Sequence, residues 1–289
     1  KFQDKNHVLK IGPGAMEYIR KIHNLDKNGR LEEAIKILEE WIQKQDHIIK
    51  KDFSKDYLER ILIARKGSIE KSKKQIDRLC TMKTLAATHH KNKDCNRVLI
   101  IKFNNKELAK ESFMQYYQYH MILAEYLEAH DYLNGYIILY DLGDLNILDL
   151  LSKMNPVQFQ QFVTIIIEGF GARLKSVQIL SDSKAIELLL KTVKRLVSEK
   201  IGNRIHVQPT LEDLHKVVPK EILPVDYGGN ERSSAKLHAE WVEELSSEKH
   251  VEYMKIMSKA CSDETKRRAE KFNEEYMGMP GSFRCLSVD

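Results

Sequence analysis

The sequence is poor in the features that announce chemistry. Four cysteines occur in 289 residues (Cys80, Cys95, Cys261, Cys285), at spacings that make no disulfide framework. Together with the absence of any Asn-x-Ser/Thr sequon, this scarcity points to a reducing, cytoplasmic setting. The longest apolar stretches, Tyr136–Tyr140 and Val163–Ile167, fall far short of the roughly 20 residues needed to span a bilayer. Any membrane contact is therefore expected to be peripheral. Lys1–Lys10 contains no apolar run of the secretory-leader kind. The net charge of +5, from 47 basic against 42 acidic residues, is too small by itself to argue for nucleic acid, whose backbone needs basic groups clustered on one face.

Catalytic signatures are missing as well. Gly12-Pro13-Gly14 makes a turn rather than a phosphate cradle, and Gly169 and Gly171 follow a helix, the wrong context for a dinucleotide site. Cys80, His89, His90 and Cys95 match no zinc spacing, so no metal is expected. Neither a G-x-S-x-G elbow nor an H-E-x-x-H helix occurs. Asp141 and Asp144 follow a strand and could be imagined as an acid–base pair, but a turn cap and a solvated carboxylate explain them better. The expectation is a protein without catalytic residues.

Apolar residues at 42% and charged residues at 31% suit a globular protein with a sizeable core. Leu31, Ala34, Ile35, Leu38 and Ile42 recur at three- and four-residue spacing, as do Tyr57, Leu58, Ile61 and Leu62, and the pattern continues through Ile76 and Leu79. That is a small helical bundle, with Gly67 closing one helix and Ser68 capping the next. After Asn92 the texture changes to strands alternating with helices. Arg97–Phe103, Tyr136–Tyr140, Leu174–Leu180 and Asn203–Val207 are short apolar runs read as strands. Between them lie helices over Glu107–Asp131, after Asn155-Pro156, and over Ala185–Lys200, with another near Leu211–Val217. This order predicts α/β layering on a mainly parallel sheet. A charged helical stretch from Ala235 to Met277, broken near Ser246 and Ser262, and an extended tail complete the chain. The expected units are a helical domain over 1–91, an α/β domain over 92–234, and C-terminal helices with the tail over 235–289.

Ala185–Lys200 carries the most information. At 3.6 residues per turn, Ile186, Leu189, Leu190, Val193, Leu196 and Val197 share one broad face, while Lys191, Lys194 and Arg195 occupy the other with Leu188 among them. An amphipathic helix covering a sheet explains this. So does a lid with an apolar inner face and a cationic outer face suited to anionic lipid. Basic residues also gather at Arg173, Lys175, Lys200 and Arg204, close to the edges of the third and fourth strands, in the combination that phosphate groups require.

Several strings bear a resemblance to one family: Leu62-Ile63-Ala64-Arg65-Lys66, GYIILYDL over Gly135–Leu142, FGARLKSVQIL over Phe170–Leu180, SEKIGNRIHV over Ser198–Val207, and ILPVDYGG over Ile222–Gly229. Together they make the chain similar to the CRAL-TRIO lipid-binding proteins, in the branch of tocopherol and retinaldehyde carriers. Gly281-Ser282-Phe283-Arg284 with Leu286 and Asp289 resembles the ending of the insect members. The resemblance implies a small helical bundle followed by an α/β lipid-binding domain, with a closed apolar pocket roofed by Ala185–Lys200. It implies a carrier that is transiently membrane-associated and binds a lipid or terpenoid-like ligand without covalent chemistry or cofactor. The alternative is a lipid-sensing module that recruits a protein through its C-terminal helices.

Residues expected to line the pocket are Ile138, Tyr140, Phe159, Val163, Ile166, Phe170, Val177, Ile179, Ile186, Leu189, Leu190, Val193 and Val197, each of which also reads as ordinary core. Which strand face turns inward is not decided by the sequence. Tyr140 is the residue expected to offer a hydrogen bond. The resemblance further assigns Arg65, Arg173, Lys175, Lys200 and Arg204 to a phosphoinositide headgroup. Two departures from the family pattern stand out: Ser181-Asp182-Ser183 replaces Asn-x-Pro, and Lys194-Arg195-Leu196-Val197 replaces Lys-Pro-Phe-Leu. Without that proline the lid is expected to run as one unbroken helix.

Overall fold

The computed structural model describes residue 9 and residues 12–82, 96–102, 110–143, 145–263 and 266. His89, His90, Cys95, Asp144, Cys285 and the tail that resembles the insect members lie outside the described residues, as does the predicted helix beyond 266.

Four helices form the first layer: α1 (Ala15–Ile22), α2 (Arg30–Gln43), α3 (Lys55–Ala64) and α4 (Ile69–Met82). The periodic residues of α2 and α3 meet Ile76 and Leu79 of α4 in one apolar core. The α3–α4 junction forms as its residues dictate. Gly67 takes a left-handed φ of 73° and donates its amide to the Leu62 carbonyl at 2.7 Å, and the Ser68 hydroxyl accepts from the Lys71 amide. α1 escapes sequence reading because only Ala15 and Ile19 of its eight residues are buried, too few to print a stripe.

The sheet contains β1 (Asn96–Lys102), β2 (Gly135–Asp141), β3 (Leu174–Leu180) and β4 (Ile205–Gln208), all parallel and in sequential order. Each crossover carries helices: α5 (Lys110–His130); then α6 (Ile147–Lys153) and α7 (Pro156–Thr164) running into a π turn at Ile165–Gly169; then α8 (Ile186–Leu196) and α9 (Glu199–Gly202). α5, α7 and α8 share one apolar core against the same sheet face, the outcome of same-handed crossovers between sequentially ordered strands. The opposite face buries Val98, Ile137 and Leu139 under α10 (Leu211–Val217) and the two short 3-10 turns Lys220–Ile222 and Val225–Tyr227. Here the ILPVDYGG string has a structural task. The Tyr227 hydroxyl donates to Asp141 Oδ2 at 2.9 Å. Asp141 Oδ1 also accepts from the Gly143 amide, the turn-capping role expected of it.

The chain then turns into α11 (Ser234–Leu245) and α12 (Glu248–Ser258), broken at Ser246 as expected. These helices pack back onto the rest: Trp241 is buried in the core of the α/β layer and Met257 in that of the helical bundle. No helix among the described residues is long and apolar enough to cross a membrane.

One expectation is overturned. Ala185–Lys200 is not a continuous helix. Val197 is extended (φ −122°, ψ 163°) and Ser198 sits in β conformation at the start of α9, where its carbonyl accepts from the Ile201 and Gly202 amides. A β-branched residue followed by serine, a residue that favours helix starts, interrupts the helix without a proline.

Candidate ligand cavity and basic rim

Between the sheet and α5, α7, the π turn and α8 lies a cavity of about 210 Å³. Its floor is one face of the sheet: Leu99 and Ile101 of β1, Tyr136, Ile138 and Tyr140 of β2, Val177 and Ile179 of β3, and Ile205 of β4. Phe159 and Phe162 of α7, Val163, Ile166 and Ile167 close one side, and Leu189, Leu190 and Val193 of α8 with Val197 form the roof. The structure thus places twelve of the thirteen proposed lining residues around one hollow, Phe170 included. Ile186 is the exception. As the first residue of α8 it is buried in the surrounding core beyond the end of the hollow.

The strand face is now fixed. Ile138 and Tyr140 are half-buried because they border empty space, whereas Ile137 and Leu139 are buried on the other side. The outer face of α8 carries exposed Lys191, Lys194 and Arg195, with Leu188 48% exposed among them.

Among the described residues, Tyr116, Tyr117, His120 and Tyr140 bring polar groups to the wall where α5 faces β2, and Tyr136 of β2 also borders the cavity. The Tyr116 and Tyr140 hydroxyls are hydrogen-bonded to each other at 2.8 Å. His120 places Nδ1 2.8 Å from the Tyr116 carbonyl oxygen. A carbonyl only accepts, so Nδ1 holds the ring proton and Nε2 presents a lone pair. Burial depresses the His120 pKa to about 4 and lifts the Tyr117 hydroxyl to about 12, so both are neutral near pH 7. Neither His120 Nε2 nor Tyr117 Oη has a partner among the described residues. Sequence reading selected Tyr140 but missed Tyr116, Tyr117 and His120. Their spacing puts them on one side of α5, yet that helix is aromatic and aliphatic almost throughout and no single face stands out.

The basic residues divide into two kinds. Arg65 is committed internally: Nε donates to Gln75 Oε1 at 2.6 Å and Nη2 to the Glu168 carbonyl at 2.9 Å, tying α3 and α4 to the π turn. Arg173 meets His23 Nε2 at 3.0 Å and donates to the Leu133 carbonyl, and burial lowers its pKa to about 10. Arg204 donates to the Leu174 carbonyl. Lys175 and Lys200 are exposed. Arg173, Lys175 and Arg204 therefore share the amino-terminal edge of β3 and β4. Their field reaches the helical bundle: after desolvation, the charges of Arg173, Lys66 and Lys175 depress the His23 pKa to about 4. α9 brings Lys200 to the same end, next to α8, for Gly202 faces the stem of Lys194.

Behind this edge, α5 carries two buried carboxylates into the junction with the bundle. Glu125 Oε1 accepts from the Tyr253 hydroxyl at 2.9 Å and from the Tyr57 hydroxyl at 3.3 Å. Glu128 accepts from Gln75 Nε2 at 3.4 Å. Desolvation, then the Glu125 charge, push the Glu128 pKa up to about 8 against the pull of Arg60 and Arg65.

The profile of the CRAL/TRIO domain matches residues 81–229. Among curated proteins, the chain is 32% identical over 97 residues to an alpha-tocopherol transfer protein-like protein of Mus musculus and 31% identical over 97 residues to those of Pongo abelii and Homo sapiens. Each match covers 33% of this chain and 28% of the relative.

Proposed function

Since the chain belongs to the CRAL/TRIO family, we propose that it binds a hydrophobic small molecule or lipid in the cavity beneath α8 and transfers it at phosphoinositide-bearing membranes. The observation that carries this reading is the hollow itself. A face of a four-stranded parallel sheet is ordinarily filled by the helices above it, and unfilled apolar space costs stability. Here the space is bordered almost wholly by aliphatic and aromatic side chains, so a guest regains contacts that the protein alone forgoes. Removing apolar ligand surface from water contributes about 25 cal/mol per Å², which holds a terpenoid-sized molecule without covalent chemistry.

Exchange requires the guest to leave. α8 is the roof, its outer face is cationic with Leu188 exposed, and the extended link at Val197-Ser198 is where it can swing. Membrane contact through Leu188, Lys191, Lys194 and Arg195 would draw the roof away from the sheet, with Lys200 of α9 and Arg204, just before β4, available to a headgroup at the same end. Arg65 serves this arrangement from within, as a strut for the edge rather than as a direct phosphate ligand. The C-terminal helices fit a sensor reading less well, because Trp241 and Met257 belong to the cores.

The test is ligand release into liposomes. Vesicles containing a phosphoinositide are expected to accelerate release over neutral phosphatidylcholine vesicles, and Lys200→Ala with Arg204→Ala to remove the acceleration while leaving binding intact. Equal release into both vesicle types by the unaltered protein would refute the membrane-triggered step.

A further inference from the structure

The π turn that walls one side of the hollow is gripped from behind by the helical bundle, and the carrier reading above gives that grip a consequence. Ile166, Ile167, Phe170 and Ala172 border the hollow, while residues between them are held by α3 and α4. Glu168 is bound twice: its carbonyl accepts from Arg65 Nη2 at 2.9 Å, and its carboxylate meets Arg78 Nη1 at 2.7 Å. Gly171 takes a left-handed φ of 65° and lies so close to the side-chain amide of Gln75 that a Cβ there would collide with it. The Ala172 amide then donates to the Ile166 carbonyl at 3.1 Å, closing the segment on itself. Gln75 is fully buried. Its Oε1 accepts from Arg65 Nε at 2.6 Å, and its Nε2 donates to Glu128 Oε1 at 3.4 Å. One buried amide is thus fixed by α3 on one side and α5 on the other, and it backs the glycine at the end of the wall. In a close-packed interior such a contact passes a displacement on rather than absorbing it.

We propose that Gln75 is a positioning residue for the hollow, setting how far the π turn reaches toward the sheet and hence how bulky a guest is accepted. Gln75 does not border the hollow; it acts through Gly171 on Ile166, Phe170 and Ala172. A shorter side chain leaves space behind Gly171, into which a larger guest can press the wall. Arg78 adds a second hold at Glu168, from the same helix. The bundle thereby takes part in selecting the guest, although none of its described residues lines the hollow.

The experiment measures the binding of two uncharged fluorescent hydrocarbons that differ only in length, diphenylbutadiene and diphenylhexatriene, at pH 6.5. The readout is the ratio of their affinities, which a loss of stability alone does not move. Gln75→Ala should shift the ratio about 10-fold toward the larger probe, the scale on which an apolar pocket separates guests of slightly different size. Gln75→Glu keeps the length of the side chain and the acceptor for Arg65. At this pH, below the raised pKa of about 8, Glu128 is protonated and can donate to the new carboxylate, so the wild-type ratio should be retained. Arg78→Ala removes only a part-exposed pair and should fold even if Gln75→Ala does not; it should move the ratio the same way by a smaller factor. An unchanged ratio in whichever of Gln75→Ala and Arg78→Ala folds, or a shift in Gln75→Glu as large as in Gln75→Ala, overturns the assignment while carriage stands. If the unaltered protein binds neither probe, the carrier reading falls and this one with it.

Discussion

Replacing Glu128 by Gln should stabilise the protein at neutral pH, and by progressively less as the pH falls toward the ordinary glutamate value. Glu128 lies in the interior where α5 meets α3 and α4, beside the Glu125 carboxylate, and its pKa is raised to about 8. In the unfolded chain a glutamate titrates near its ordinary value of about 4.3. Between these two values the folded state holds a proton that the unfolded state has released, so stability is fully present below the lower one and declines as pH rises toward the higher one. One pH unit is worth about 1.4 kcal/mol, so by pH 7.5 the loss is on the order of 4 kcal/mol. Gln reproduces the protonated carboxyl in shape and never ionises. Urea unfolding of both proteins at pH 5, 6.25 and 7.5 should show a difference that is small at pH 5 and widens to a few kcal/mol at pH 7.5. His23 and His120, both depressed to about 4, carry the opposite sign. Their stabilising contribution is present above about 6.5 and is lost as pH falls toward 4, but it is common to both proteins and cancels in the difference. Parallel stability curves for the two proteins, or a wild type that gains on Glu128→Gln as pH rises, would show that Glu128 is ionised in the fold.

The packing makes three further outcomes measurable. Val193→Trp should fill the roof side of the cavity and lower ligand capacity at least about tenfold, at a stability cost of about 1–3 kcal/mol from overpacking, read by ligand titration and thermal melting. Asp131→Ala should strand Arg97, which is fully buried and donates from Nε to Asp131 Oδ2 at 2.5 Å. Leaving that charge uncompensated costs about 3–5 kcal/mol, and Arg97→Met in the same protein should restore part of it in urea unfolding. Gly229→Ala would drive a methyl into the Leu223 carbonyl oxygen. It should lower the melting temperature by several degrees, while an alanine at exposed Gly12, where a methyl meets nothing, should not.

The strands and α8 are legible in the sequence because each rests on a short-range pattern. β-branched runs specify β1 to β4 within a residue or two, and the 3.6-residue period of α8 separates its apolar and cationic faces correctly. The side of the sheet facing the cavity stayed hidden for a physical reason. In β2, Ile137 and Leu139 are packed under α10 while Ile138 and Tyr140 border the hollow, so both faces are apolar and the alternation that reports a strand's orientation is missing. The break after Leu196 escapes a search for proline, because Val197-Ser198 suffices to make it. The ring orientation of His120 could not be read at all, since it depends on which nitrogen meets the Tyr116 carbonyl. Among the basic residues, type alone did not separate Arg65, spent on Gln75 and Glu168, from Lys200 at the surface.

The π turn at Ile165–Gly169 makes the hollow adjustable by length as well as by residue identity. A π turn holds one residue more than an α turn, and here the surplus brings Ile166 and Ile167 side by side onto the same wall. Excising a single residue would let the segment relax into an ordinary helical turn while its flanks keep their register, removing one of those isoleucines from the wall. Among descendants of a common ancestor, a one-codon gap at this point would rescale the chamber in a single step, leaving the sheet beneath it untouched.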